Sequence, residues 1–150
     1  MNKTLPDRWI RKALFEALTD EVVDYSNVMN LNGSQIGIFD YRGKSNFDKY
    51  ILITTQSNLV DESVKCGDRW ENITTLEVFV RYLGTGNPGS RLEADNILDE
   101  VRERTKSLVL DPASGLTIED QTESYPNDLV TVTEDNNIFR KFVRYELLIN

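Results

Sequence analysis

The chain has 150 residues, with 17 Lys and Arg against 25 Asp and Glu, a net charge of -8, one Cys and no His. Without His there is no Ser-His-Asp triad, Cys-His pair or imidazole metal ligand, and one Cys makes neither an internal disulfide nor a zinc or iron–sulfur cluster. The acidic balance argues against a grip on nucleic acid, which takes a basic face that displaces counterions from phosphates.

The length suits a single domain over 1–150. A chain of this size buries roughly 68–70% of its extended surface, enough for a core without staples. Apolar residues make up 39% and charged residues 28%, as in globular proteins. No apolar run approaches the ~20 residues of a membrane span. Residues 1–7 lack an apolar signal-peptide region and break at Pro6, so synthesis in a cytoplasm is expected. The acceptor patterns at Asn2, Asn32 and Asn72 are then chance matches.

Residues 6–19 read as a helix. Pro6 and Asp7 suit its first turn, and Ile10, Ala13, Leu14, Ala17 and Leu18 form one stripe. Residues 21–25 read as a short strand and 27–34 as a polar turn region holding Asn32-Gly33. Residues 35–41 make a second strand and 42–46 a turn. The segment 49–56 is a stronger strand, rich in Tyr, Ile, Leu and Thr. A long polar connection, 57–70, follows, and a loop of that length in a small domain is usually functional.

Residues 73–83 alternate. Leu76, Val78, Val80 and Tyr82 share one face; Thr75, Glu77, Phe79 and Arg81 share the other. Ser90-Arg91-Leu92-Glu93 has capping-box spacing and opens a helix to about residue 106, with Ala94, Ile97, Leu98 and Val101 on one stripe. Residues 108–110 extend briefly. The last third reads as a hairpin, with arms 129–133 and 138–149 around a turn at 134–137. In the second arm Phe139, Val143, Tyr145, Leu147 and Ile149 face one way, and Arg140, Phe142, Arg144 and Glu146 the other. Every charged residue from 111 to 135 is acidic. The order predicts an α+β fold: a mainly antiparallel sheet with helices on one face, an N-terminal helix, a second helix after the middle strand and a closing C-terminal hairpin.

Gly84-x-Gly86-x-x-Gly89 formally matches the dinucleotide fingerprint, with Asp111 at about the right distance. Against it, the preceding strand carries Glu77 and Arg81, Pro88 removes a donor amide, and Glu93 puts an anion where phosphate would sit. Cys66 beside Lys65 has no His or second Cys to make it a nucleophile or redox centre. Glu119, Asp120, Glu123 and Asp128 lack the spacing that wraps Ca²⁺ and read as a solvated acidic loop. Nothing in the spacing of Glu77 and Glu146 makes them a glycosidase pair. No cofactor or metal site is expected.

Phe79 and Phe142 lie on the polar faces of two long strands. If those strands pair, the rings form an exposed aromatic patch flanked by Arg81, Arg140 and Arg144, the composition of an interface centre; a helix covering that face or a loop shielding it is the other reading. Trp70, in or next to the long loop, is a second candidate anchor.

The segments Leu5-Pro6-Asp7-Arg8-Trp9-Ile10, Cys66-Gly67-Asp68-Arg69-Trp70-Glu71, Arg81-Tyr82-Leu83-Gly84-Thr85-Gly86-Asn87 and Ser90-Arg91-Leu92-Glu93-Ala94-Asp95-Asn96-Ile97 resemble small virion proteins of tailed bacteriophages of Bacteroidetes-type hosts. The layout is similar to the tail-terminator or neck-ring fold. The resemblance implies a non-enzymatic virion subunit made in the host bacterial cytoplasm. It implies a homo-oligomeric ring in the neck between portal and tail, beside other neck or tail proteins, with double-stranded DNA passing through its lumen and no membrane. Such rings need two different sticky surfaces. Asp61, Glu62, Lys65, Trp70, Phe79, Arg81, Arg91, Arg140, Phe142 and Arg144 are the candidate interface residues. Glu119, Asp120, Glu123 and Asp128 are candidates to face the lumen or a neighbour, since like charge keeps DNA from sticking. A nucleotide-binding enzyme or regulator using the 84–89 loop and a small cytoplasmic adaptor are the alternatives.

Overall fold

The computed structural model describes residues 5–41, 47–61, 69–83, 90–132 and 136–150. Helix α1 (Asp7–Leu18) opens it. The Pro6 carbonyl accepts from the amides of Trp9 and Ile10, both at 3.0 Å, so a residue without an N–H starts the helix at little loss. Ile10, Ala13, Leu14 and Leu18 bury its apolar stripe. The chain then runs β1 (Glu21–Val23), β2 (Ser26–Leu31), β3 (Ser34–Phe39), β4 (Lys49–Asp61), β5 (Arg69–Leu83), α2 (Ser90–Thr105), a 3-10 turn (Pro112–Ser114), β6 (Ile118–Ser124), β7 (Leu129–Val132) and β8 (Asn136–Ile149).

The strands form one sheet in the order β1-β2-β3-β4-β5-β8-β6, with β7 also on β8. Every pairing is antiparallel except β3 with β4. Both helices lie on one face. There Ile10, Leu14 and Leu18 of α1 and Ala94, Ile97 and Val101 of α2 join Met29, Ile36, Ile38, Ile51, Leu76, Val78, Val80, Val143, Tyr145 and Leu147 in a single core. The α+β class, the antiparallel majority and the helix positions follow the sequence expectation. Acidic Glu93 in the first turn of α2 and Arg102 and Arg104 in its last complement the helix dipole.

Several expectations need correction. Residues 27–34 are not a turn region, because β2 pairs through Asn27 to Leu31 with β3 and through Ser26 to Val28 with β1. The Asn residues lower local strand propensity. Pairing on both sides outweighs that, with the Asn30 amide donating to Asp20 at 2.8 Å. Only Asn32-Gly33 turns, at φ 49° and 80°. Strand β1 stops at Val23, and Asp24 and Tyr25 make its hairpin turn.

The long connection 57–70 is mostly strand. β4 continues to Asp61 and β5 starts at Arg69, in register through Asn58 and Asn72 and through Val60 and Trp70. What remains of that loop, 62–68, lies outside the described residues. Strand β6 occupies an acidic stretch whose sequence gave no strand pattern, held by one side of β8. Residues 108–110 form no regular element; Leu108 and Leu110 are buried as the chain enters the 3-10 turn, which Asp111 caps at 2.9 Å to the Ala113 amide. The closing β7–β8 hairpin is present, and Asn136 and Asn137, expected in its turn, begin β8.

Candidate interaction surfaces

A network of polar groups, mostly side-chain amides around the Asp7 carboxylate, fastens α1 to the long β4–β5 ribbon. The Asp7 carboxylate, in the first turn of α1, accepts from the Asn58 amide at 2.7 Å and the Asn72 amide at 3.1 Å. Asn72 also donates to Asn58 at 2.6 Å and accepts from Thr74 at 2.6 Å. Gln56 donates to the Asp7 carbonyl and to Thr74, each at 3.3 Å, and accepts from Arg11 at 2.6 Å. Asn72 and Thr74 are buried. Their full satisfaction makes burial of these groups tolerable and orients the helix. Trp70 packs against the core from the helix-side face of β5, so it stands in the fold and not in a loop.

The opposite face of the sheet carries an aromatic layer. Tyr50 stacks on Phe79 with centroids 4.4 Å apart and planes at 13°. Phe39 meets Phe47 and Tyr50 edge-on, at 5.6 Å and 5.9 Å. Gly37 lies beneath these rings: a Cβ there would sit 2.6 Å from Phe39 Cε2 and 3.1 Å from Phe47 Cγ. The Arg140 guanidinium lies 5.6 Å from the Phe79 centroid and 3.3 Å from Glu77.

This layer corrects the expected exposed patch. Phe79 is only 7% exposed, and among the described residues Tyr50 and Arg140 on the same face lie over it. Phe142 is half-buried, opposite Glu77. Burial pushes the Glu77 carboxyl above its usual range, with Arg140 opposing. Tyr50 is also raised, chiefly by burial and then by the Glu77 charge.

The remaining candidates are spread over the molecule. Arg81 clasps Asp48 through Nε at 3.2 Å and Nη2 at 2.8 Å. Arg144 donates to Ser124 at 3.2 Å. Arg91 is exposed, 3.7 Å from Asp128. Glu62 and Lys65 lie outside the described residues, as does the side chain of Asp61. Three of the four acids on the acidic stretch have cationic partners: Glu119 meets Arg69 at 2.7 Å, Glu123 meets Arg102 at 3.2 Å, and Asp128 meets Lys141 at 3.2 Å. Asp120 is exposed. Sequence reading missed the aromatic layer and the polar network. Asn58 and Asn72 carried the signal for the latter, being amides inside strand-like stretches.

The 84–89 loop and Cys66 lie outside the described residues. Strand β5, which leads into that loop, is antiparallel to both neighbours, whereas the dinucleotide fingerprint follows a parallel strand. Glu93, in the first turn of α2, pairs with Lys49. Among the described residues no group of three His, Cys, Asp or Glu is placed to hold a metal, and no helix is long and apolar enough to cross a membrane.

No protein-family profile and no curated protein matches the chain. A solved structure does: a chain of the virion of a native gene transfer agent particle, with a TM-score of 0.59 and 13% identity. The fold is that of a virion chain. The match spans 95% of this chain and 96% of the other, so helices, sheet and closing hairpin are all included.

Proposed function

We propose that the chain is a structural protein of a phage-like virion, and within it a ring-forming subunit of the neck, as a tail terminator or head–tail connector, that does no catalysis. The end-to-end likeness to a virion chain carries the reading. A fold can host many functions, and what supports this one is that nearly the whole of each chain is matched. The layout of N-terminal helix, sheet, mid-chain helix and closing hairpin also fits the neck-ring resemblance of the sequence. In that role the subunit meets copies of itself and adjacent portal, neck or tail proteins, and DNA passes through the ring without specific contacts.

Electron microscopy of purified particles, with the chain located by antibody, tests the proposal. The expected outcome is labelling at the junction of capsid and tail. Absence from the particle removes the virion role. Labelling only at the distal tail keeps that role and removes the neck assignment.

A further inference from the structure

The two ends of the sheet are built alike. Among the described residues, one end is β1, which pairs only with β2; the other, at the same height, is β7, which pairs only with β8. A single row of paired residues connects them: Glu21, Val28, Gly37, Tyr50, Phe79, Arg140 and Leu129. Following the pairings along this row, β1 and β7 run in opposite directions. A second copy placed edge to edge in the same orientation would therefore continue the sheet with an antiparallel pair.

Both edge strands are short, three and four residues, and β1 carries one charge, Glu21, but neither holds a proline and both present exposed apolar side chains. Leu129 and Val130 are consecutive, so they point to opposite faces, and both are exposed, at 51% and 48%. On β1, Val22 is 64% exposed. Beyond it, Asp24 and Tyr25 hold the hairpin turn at φ 48° and 64°, a conformation that costs a bulky side chain. The Tyr25 ring so held is fully exposed, and Tyr is a residue type favoured in contacts between proteins.

Charge also matches across the two edges. Glu21 and Asp24 stand at the β1 end, and among the described residues neither has an ion-pair partner. At the β7 end, Arg140 is Leu129's neighbour in the row and stays partly exposed beside Glu77, at 3.3 Å, while exposed Arg91 is held only loosely, at 3.7 Å, by Asp128. In a chain of net charge -8, self-association needs such a local basic patch to offset repulsion between copies.

We infer that the β1 edge of one copy pairs with the β7 edge of the next, continuing the sheet from subunit to subunit in a head-to-tail, heterologous contact. This inference rests on the self-assembling reading above and names its surfaces. Main-chain hydrogen bonds join the edges. Val22 and Val130 lie on the helix-side face and come opposite each other when one copy slides by two residues, a shift that preserves faces. A contact between two different edges closes into a ring when the rotation per step allows.

The test uses the full-length chain with Cys66→Ser and a short bis-maleimide cross-linker, on concentrated protein and on particles. The pair Val22→Cys plus Val130→Cys is expected to give a ladder of covalent multimers, and either single variant to stay at monomer size. Val130→Lys is expected to abolish self-association with an unchanged thermal midpoint. Rings or particles that contain the chain but give no ladder overturn the edge pairing and leave the ring reading standing. Dimers from Val22→Cys alone overturn it in favour of a symmetric contact, and cross-links from position 130 to a different virion protein overturn the choice of partner. A chain that is monomeric at every concentration and absent from particles overturns both.

Discussion

Two buried ionisable groups set how single residues respond to pH. Glu77 is raised by burial in the aromatic layer, against the pull of Arg140. A carboxyl raised in the fold contributes its stability in full below the unfolded pKa and loses it as pH rises through the folded value. Glu77→Gln keeps the shape and removes the titration. The variant should match the natural protein near pH 4 and exceed it at pH 7 in urea unfolding. A deficit that grows towards pH 7 would mean that the Arg140 pair outweighs desolvation. Tyr145 is fully buried, bonded to Thr105, and pushed up to about 12 by burial. Its contribution is intact below pH 10 and is lost between there and pH 12. Tyr145→Phe should cost about 1 kcal/mol at neutral pH, since Thr105 keeps its bond to the Val101 carbonyl. That gap should close by roughly 1.4 kcal/mol per pH unit above 10, which the same unfolding measurement reads.

Among the elements, α1 depends on more than its apolar stripe. Asn72→Ala removes two donors and one acceptor from the network around Asp7, in a site closed to water. The loss should be about 1–3 kcal/mol. A double-mutant cycle with Asn58→Ala should show a coupling of at least ~0.5 kcal/mol; additive losses would mean that the two amides act separately. This network also shows where sequence reading reaches and where it stops. Both helices and the alternating strand around Leu76, Val78 and Val80 were legible, because one face of each is wet and the other is core. β2 was not, since Val28 and Met29 are both fully buried and the flanking Asn residues mask the strand. The ends of β4 and β5 were hidden because amides there bond to one another across strands, which no local pattern records. β6 was hidden because only its partner β8 makes it a strand. Phe79 was placed on the correct face, but its cover, Tyr50, comes from 29 positions earlier in the chain. Such a contact is set by sheet register and not by local sequence.

At the scale of the molecule, the acidic excess is arranged rather than spread evenly. Cations from other elements meet the acids of the 111–128 stretch: Lys12 at Asp111, Arg69 at Glu119, Arg102 at Glu123 and Lys141 at Asp128. Much of the basic side-chain complement is thus spent inside the subunit. Arg104 bonds Asp20 at 2.9 Å and Glu100 at 2.9 Å, and Arg81 holds Asp48. Cations engaged in this way are poorly placed to replace the counterions of a phosphate backbone, and the net charge of -8 adds long-range repulsion. A ring of such subunits would let DNA slide. The purified chain, assembled or not, should therefore fail to retard duplex DNA in a gel even at ~50 mM salt, where nonspecific binding is strongest. Retardation with a steep salt dependence would mean that assembly exposes a basic surface, and the non-stick account of the lumen would have to be abandoned even if the chain proved to be a neck subunit.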